Sequence, residues 1–326
     1  MTDAIDRLPQ FVIAGAPKAG TTALHAALAT HPGLYLSPVK EPKFYLTDGQ
    51  PPPRNRQRGP GDAHSAGEWM WRREEYLRQF DGAPAGTVRG ESPPFYCYDR
   101  DAQERLASDV PGIKVIVVVR DPVDRVVSNF VHLRADGLEP EPDFLTAVRL
   151  EEQRIEAGWA PFWHYRGLSR YGAQLRDLYR HVPPENVFLL RYRQLVDSPR
   201  ETLDRVSAFL GVAPGIAHTV APENVKPYVP DGARYRAVAR LVRAGAALGA
   251  FAHPRVWRQA SRPLLAALHA GGAARPSLPV EVRREVLDPL LPDIELLEEL
   301  TGESFHDWKG DTGRGHFGAR RQSTTA

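Results

Sequence analysis

The chain of 326 residues is long enough for one large α/β domain with helical additions, or for two small domains. Its 42 basic and 40 acidic residues leave a net charge of +2, which is not the balance of a general nucleic-acid binder. Cys97 is the only cysteine, which excludes an intramolecular disulfide and a zinc site built of thiolates. No apolar run approaches the ~18 residues of a membrane span, and the polar first ten residues do not resemble a signal peptide. We therefore expect a cytoplasmic protein.

Short apolar runs alternate along the chain with amphipathic stretches. The runs that predict strands are residues 10–14, 34–36, the first part of 86–96, 113–120 and 186–192. The stretches that predict helices are residues 21–30, 68–80, 121–137, 198–212 and most of the chain from residue 233. This alternation predicts an α/β fold with a central parallel sheet flanked by helices and with a helical C-terminal portion.

The chain shows no internal repeat and no clear linker, so we expect one domain over residues 8–308. Residues 48–67 are rich in proline, glycine and charge and have no periodicity, which predicts a mobile loop. The polar residues 309–326 predict a disordered tail.

The first candidate site is the segment APKAGTT, residues 16–22, which follows the first strand and opens the first helix. Gly15 and Gly20 have the spacing of a phosphate-binding loop, and Thr22 occupies its Ser/Thr position. The lysine of a nucleotide-triphosphate loop would follow Gly20, but here it lies inside the loop as Lys18. Backbone N–H groups at such a turn favour an anion. The alternative is a structural turn without a ligand.

The second candidate site follows the apolar strand at 113–120. In Mg²⁺-dependent phosphoryl-transfer enzymes such a strand often ends in an aspartate that holds the metal, whereas this one ends in Arg120. Ser128 lies two helical turns later and can lean back toward Arg120, so the pair could bind a second phosphate. The alternative is a surface arginine paired with Asp124. Two anion sites at the carboxyl ends of parallel strands predict a ligand with two separated anionic groups.

These motifs resemble the sulfotransferases that use 3′-phosphoadenosine 5′-phosphosulfate (PAPS). APKAGTT resembles their 5′-phosphosulfate loop, and RDPVDRVVSNF, residues 120–130, resembles their 3′-phosphate motif. HPGLYLSPVKEPKFY, GESPPFY, SRYGAQL and LEELTGESFHDW resemble segments of the bacterial and heparan sulfate branch. The resemblance covers residues 10–212 and 280–308, and it implies a P-loop-like sheet and metal-independent transfer of a sulfuryl group to a hydroxyl or amine, with PAP as product.

The resemblance also implies roles for single residues. The donor nucleotide would be bound by Pro17, Lys18, Ala19, Gly20, Thr21, Thr22, Arg120 and Ser128. Lys18 would stabilise the leaving group, and Glu41 would be the general base, with a pKa raised by burial. Glu91 is the rival base or a structural carboxylate, Lys40 could steer sulfate, and Tyr171 could contact substrate or lie in the core. Relatives that carry a lysine after this glutamate differ from the present chain, which has Ser92.

Two further readings remain open. One is a P-loop kinase of a small molecule, which would need Mg²⁺ and an acid to hold it. The other is a module that binds PAP or PAPS without catalysis. The acceptor could be a carbohydrate, a lipid or a secondary metabolite, and the C-terminal helices could form a dimer surface. Asn224, Lys226, Arg234 and Arg236 are candidates for further nucleotide contacts.

Overall fold

The structure is a computed structural model that describes residues 7–52, 59–60, 69–217, 219–220, 227–249, 254–269, 273 and 277–310. Most of the predicted mobile loop and all but two residues of the predicted tail lie outside these ranges, so both expectations stay predictions.

A five-stranded parallel sheet forms the centre of the described part of the chain, with the strand order β2-β3-β1-β4-β5. The strands are β1 Phe11–Gly15, β2 Leu34–Leu36, β3 Val88–Glu91, β4 Lys114–Val119 and β5 Val187–Arg191. The chain order reverses between β1 and β4, and ligands of open parallel sheets bind in the crevice at such a point. Both predicted anion motifs follow these two strands.

Helices surround the sheet and continue to the C-terminal part of the chain. They are α1 Thr21–Leu28, α2 Arg73–Leu77, α3 Arg100–Asp109, α4 Pro122–Ala135, α5 Phe144–Arg149, α6 Glu151–Glu156, α7 Tyr171–Leu178, α8 Tyr192–Asp197, α9 Pro199–Leu210, α10 Ala233–Gly249, α11 Pro254–His269, α12 Val280–Leu287 and α13 Leu291–Thr301. The predicted fold class, a P-loop-like parallel sheet flanked by helices with a helical C-terminal portion, is confirmed.

Local sequence signals explain the elements nearest the crevice. β4 lies between two strands, and Val115–Val119 are at most 2% exposed, as the β-branched run on both faces predicted. α4 begins as predicted, because the Asp121 carboxylate accepts hydrogen bonds from the N–H groups of Val123 and Asp124 at 3.0 Å. Pro122 occupies the first turn of this helix.

Three predicted elements differ from the structure. The helix predicted at 68–80 forms only as α2 and one following 3₁₀ turn, and the N–H of Met70, before this helix, donates to the carbonyl of Pro42. β5 is an edge strand in which only Leu190 is fully buried, rather than another buried strand. The helix predicted at 198–212 forms as the shorter α9, which begins at Pro199 and ends before left-handed Gly211.

Candidate functional site

The loop after β1 is shaped by close packing at both of its glycines. A side-chain carbon on Gly15 would lie 2.8 Å from Cβ of Cys97, and one on Gly20 would lie 2.8 Å from the ring of Tyr192. Gly20 also has a φ of +98°, a conformation that residues with side chains rarely adopt. The backbone therefore approaches its neighbours at distances that only glycine allows.

This loop leads into the N-terminus of α1. The N–H groups in the first turn of a helix lack a partner one turn earlier and favour an anion. Thr21 is buried and Thr22 half-buried at this end, while Lys18 is half-buried and has a φ of +68°. Pro17 and Ala19 are buried beside it. The residues predicted to bind the 5′ anion thus form one continuous turn.

Arg120 joins the second predicted anion motif to the first. Its Nη1 donates to the carbonyl of Lys18 at 3.3 Å, and its guanidinium lies 4.9 Å from the ring centre of Tyr192. The N–H of Ala16 donates to the carbonyl of Val118 at 2.8 Å, so the loop is also fastened to β4. Arg120 is 7% exposed. A largely buried cation therefore lies beside the loop, where a second anion could bind.

Arg125 and Ser128, which follow Arg120 and lie on α4, differ in their burial. Arg125 is fully buried and donates to Ser169 Oγ and to the carbonyl of Tyr165, each at 2.5 Å. Arg125 therefore belongs to the core. Ser128 is half-buried two turns after Arg120, and its contact with a phosphate stays a prediction.

A contact that the sequence did not indicate lies at the start of α4. The guanidinium of Arg283, on α12, binds the Asp121 carboxylate through Nη2 at 2.6 Å and through Nη1 at 3.3 Å. The two residues are far apart in the chain and share no motif, so only the fold brings them together. Asp121 is therefore both the cap of α4 and the partner of a buried arginine.

Glu41 is paired with a neighbouring lysine. Lys40 Nζ lies 2.7 Å from the Glu41 carboxylate, and the two side chains are 24% and 30% exposed. Burial alone would raise the pKa of Glu41, but Lys40, Lys43, the hydrogen bond from Lys40 and nearby His132 together hold this pKa below its ordinary value. The expected upward shift is therefore wrong, because the surrounding positive charges outweigh burial.

His25 and Ser92 support the same segment. His25 Nδ1 lies 2.7 Å from the hydroxyl of Ser92, and the N–H of Ser92 donates to the carbonyl of Lys40 at 3.3 Å. Burial, followed by the charge of Lys40, lowers the pKa of His25 to about 4, so the imidazole is neutral at neutral pH. The serine found in place of a lysine thus has a structural role beside the candidate base.

Glu91 and Tyr171 are enclosed by the protein. Glu91 is fully buried and accepts a hydrogen bond from the hydroxyl of Tyr76 at 2.7 Å, and burial raises its pKa to about 8. Tyr171 is 3% exposed and packs on Trp308, with 6.0 Å between ring centres. These placements favour the structural role that the sequence had left open for each residue, rather than contact with a substrate.

The nucleotide contacts suggested for residues 213–279 are not found on α10. Asn224 and Lys226 lie outside the described residues. Arg234 and Arg236 flank Tyr235, whose hydroxyl donates to the carbonyl of Arg134 at 2.9 Å. Arg134 lies at the far end of α4 from Arg120, a helix of 14 residues and so roughly 21 Å long. Arg234 and Arg236 are therefore distant from Arg120 and the start of α4.

Two features are absent from the described residues. None of their helices is both long and apolar enough to cross a membrane. They also contain no group of three or more histidine, cysteine, aspartate or glutamate side chains arranged to hold a metal ion.

Comparisons with known proteins identify the family of this chain. The model of the sulfotransferase family matches residues 9–214. Human heparan sulfate glucosamine 3-O-sulfotransferase 3B1 is 30% identical over 207 residues, which are 63% of this chain and 47% of that protein. The mouse bifunctional heparan sulfate N-deacetylase/N-sulfotransferase 3 is 30% identical over 219 residues, or 64% of this chain and 23% of that protein. The chain thus spans about half the length of the first of these relatives and about a quarter of the second.

One solved structure is similar over nearly the whole chain. The sulfotransferase from Alicyclobacillus acidocaldarius has a TM-score of 0.72 at 24% identity, covering 93% of this chain and 99% of that one. This similarity concerns the fold and extends it beyond the residues that the family model matches. Because that model matches well over half of the chain, this protein belongs to the sulfotransferase family, a family of transferase enzymes, as its two anion motifs indicated.

Proposed function

We propose that the chain transfers the sulfuryl group of PAPS to a hydroxyl or amine of an acceptor, without a metal. The observation that carries this proposal is the position of Arg120. Arg120 lies at the end of β4 and contacts the loop after the neighbouring strand β1. A cation and the N–H groups of the β1–α1 loop therefore lie at the same edge of the sheet. A nucleotide with separate 5′ and 3′ anionic groups fits such a pair of sites.

The residues of the β1–α1 loop would hold the 5′ end of the donor. The N–H groups at the start of α1, with Thr21 and Thr22, would bind its anionic oxygens, and Arg120 with Ser128 would bind the 3′-phosphate. When bound, PAPS supplies the sulfuryl group and a phosphate leaving group. The ammonium of Lys18 would stabilise the negative charge that develops on the leaving oxygen.

Glu41 is the candidate for removing the acceptor's proton. Its carboxylate is ionised at neutral pH, because neighbouring positive charges hold its pKa low. It is also 30% exposed, so an acceptor hydroxyl can approach it, whereas Glu91 is fully buried. Lys40 would then both orient Glu41 and attract the sulfuryl oxygens. The proton would pass from the acceptor hydroxyl to Glu41 as its oxygen attacks sulfur.

The similarity to heparan sulfate sulfotransferases favours a glycan acceptor, while a lipid or a secondary metabolite also fits the chemistry of the site. We also propose that residues 8–308 form one sulfotransferase domain, that the protein acts in the cytoplasm and that the C-terminal helices could pair two copies.

Calorimetric titration with PAP, and separately with ATP and Mg²⁺, tests the donor. We expect PAP to bind with the same affinity with and without a chelator. Arg120→Ala should weaken PAP binding by at least tenfold, because a charge-assisted phosphate contact is lost. Arg180→Ala is the control, since Arg180 is an exposed residue that pairs with Asp177. Mg²⁺-dependent ATP binding without PAP binding would instead support a kinase.

Glu41→Gln separates an enzyme from a non-catalytic module. This change keeps the shape of the side chain and removes the base, so PAP affinity should persist. With PAPS and a panel of acceptors, the unchanged protein should release PAP and the variant should not. Equal PAP release by both proteins would exclude Glu41 as the base, and binding without any transfer would favour the module.

A further inference from the structure

The ion pair between Arg283 and Asp121 is buried at the edge of the candidate donor site. The Arg283 side chain is 5% exposed and that of Asp121 13%. Arg283 also donates to the carbonyls of Trp308 and Gly310, at 3.4 and 3.2 Å. The guanidinium is therefore held in place by the C-terminal part of the chain and binds Asp121, the residue directly before α4.

The position of Asp121 makes this pair relevant to the ligand. Asp121 directly follows Arg120, and its carboxylate accepts the N–H groups of Val123 and Asp124 at the start of α4. A carboxylate at that point favours the helix but opposes the binding of an anion at the same turn. A second carboxylate, that of Asp124, lies 3.9 Å from Arg283. One buried cation thus faces both acidic residues beside Arg120.

Arg283 lies outside the part of the chain that the family model matches, which ends at residue 214. The chain therefore recruits a charge from its C-terminal helices to the end of β4. Breaking a buried ion pair by removing one partner leaves the other charge uncompensated, which is costly.

We infer that Arg283 is a positioning residue of the donor site. It neutralises Asp121, so that the negative charge of this carboxylate does not oppose the binding of a 3′-phosphate at the neighbouring Arg120. The inference rests on the proposed function, because it concerns the same nucleotide and the same arginine. It predicts that the preference for a ligand with a 3′-phosphate depends on the net charge of Asp121 and Arg283. Neither residue needs to contact the ligand.

The test is the ratio of two affinities, measured by calorimetry for adenosine 3′,5′-bisphosphate and for AMP, which lacks the 3′-phosphate. The full chain is compared with Arg283→Gln, Asp121→Asn and the double variant. Asparagine still caps a helix, and glutamine keeps N–H donors, so both changes chiefly remove charge. We expect the ratio to fall on the order of tenfold in Arg283→Gln and to rise at least threefold in Asp121→Asn. The double variant should return to within about threefold of the unchanged protein.

A purely structural ion pair would behave differently. It would lower both affinities together, and it would make Asp121→Asn no better than the unchanged protein. An unaltered affinity ratio in a folded Arg283→Gln variant overturns the inference. A lowered or unaltered ratio in Asp121→Asn also overturns it. The Asp121→Asn result is sufficient even if Arg283→Gln fails to fold. If the unchanged chain itself does not prefer the bisphosphate, the proposed donor is wrong, and this outcome is distinct from the other two.

Discussion

The pKa values of Glu41 and Glu91 are shifted in opposite directions, and this difference indicates different roles. Glu41 lies among Lys40, Lys43 and His132, so its pKa is lowered despite burial. Glu91 lies among tyrosine hydroxyls without a cation, so burial dominates and raises its pKa to about 8. A base must be ionised and reachable, whereas a buried neutral carboxyl can serve packing. The environments thus favour Glu41 as the base, which the sequence alone could not decide.

The protonated state of Glu91 predicts how stability depends on pH. Its pKa is about 8 in the folded chain against 4.5 for an ordinary glutamate, so its contribution is fully present below pH 4.5 and is lost as pH rises through 8. Glu91→Gln removes this titration. We expect the variant to gain stability relative to the unchanged protein between pH 5 and 8, by at most about 1.4 kcal/mol per pH unit.

Urea unfolding of both proteins at several pH values measures this difference. Glu74→Gln is the control for the substitution itself, because it removes a glutamate from an exposed position of α2. A stability difference between Glu91→Gln and the unchanged protein that is constant from pH 5 to 8 would show that Glu91 is ionised in the folded chain.

At the scale of elements, the β1–α1 loop depends on neighbours that are distant in sequence. The glycine spacing predicted a turn that binds an anion; the structure forms a turn at this position, and its binding of an anion stays a prediction. The reason for each glycine was not predictable, because Cys97 and Tyr192 reach the loop only through the fold. By contrast, α4 is predictable from Asp121 and Pro122, which are local signals. The helix predicted at 68–80 is shorter in the structure, where Met70 contacts Pro42, a residue distant in the chain.

Gly20→Ala tests this dependence on Tyr192. The added methyl would lie 2.8 Å from the ring at a φ of +98°, so we expect a loss of stability of about 1–3 kcal/mol and a clear loss of PAP affinity. Gly86→Ala is a matched control, because Gly86 has a φ of +81° and no atom within 4 Å of an added methyl. It should cost about 1 kcal/mol and leave PAP affinity unchanged. Equal effects on PAP affinity would mean that packing on Tyr192 does not shape the loop.

At the scale of the whole molecule, the C-terminal segment returns to the carboxyl edge of the sheet. Arg191, at the end of β5, forms an ion pair with Asp307 and lies over the rings of Phe305 and Trp308 at 4.8 and 5.2 Å. Arg283 reaches the end of β4 in the same region. The sequence resemblance had included residues 280–308, but it could not show that they contact the ends of two strands, because such contacts join residues more than 100 positions apart.

Trp308→Ala tests whether this return stabilises the whole chain. The Trp308 side chain is 2% exposed and packs on Phe305 and Tyr171, with ring centres 4.4 and 6.0 Å away. Removing a buried tryptophan typically costs about 3–5 kcal/mol, and we expect a loss of this size in chemical unfolding. Trp71→Ala, at a partly exposed tryptophan that stacks on Arg72, should cost much less.

The effect on the ligand gives a second measurement for the same variant. The carbonyl of Trp308 accepts from Arg283, so loosening this segment should also weaken PAP binding through Asp121 and Arg120. Saturating PAP should then raise the melting temperature of Trp308→Ala less than that of the unchanged protein, because ligand stabilisation depends on affinity. If the variant loses stability but gains as many degrees from PAP as before, the C-terminal segment supports the fold without shaping the donor site.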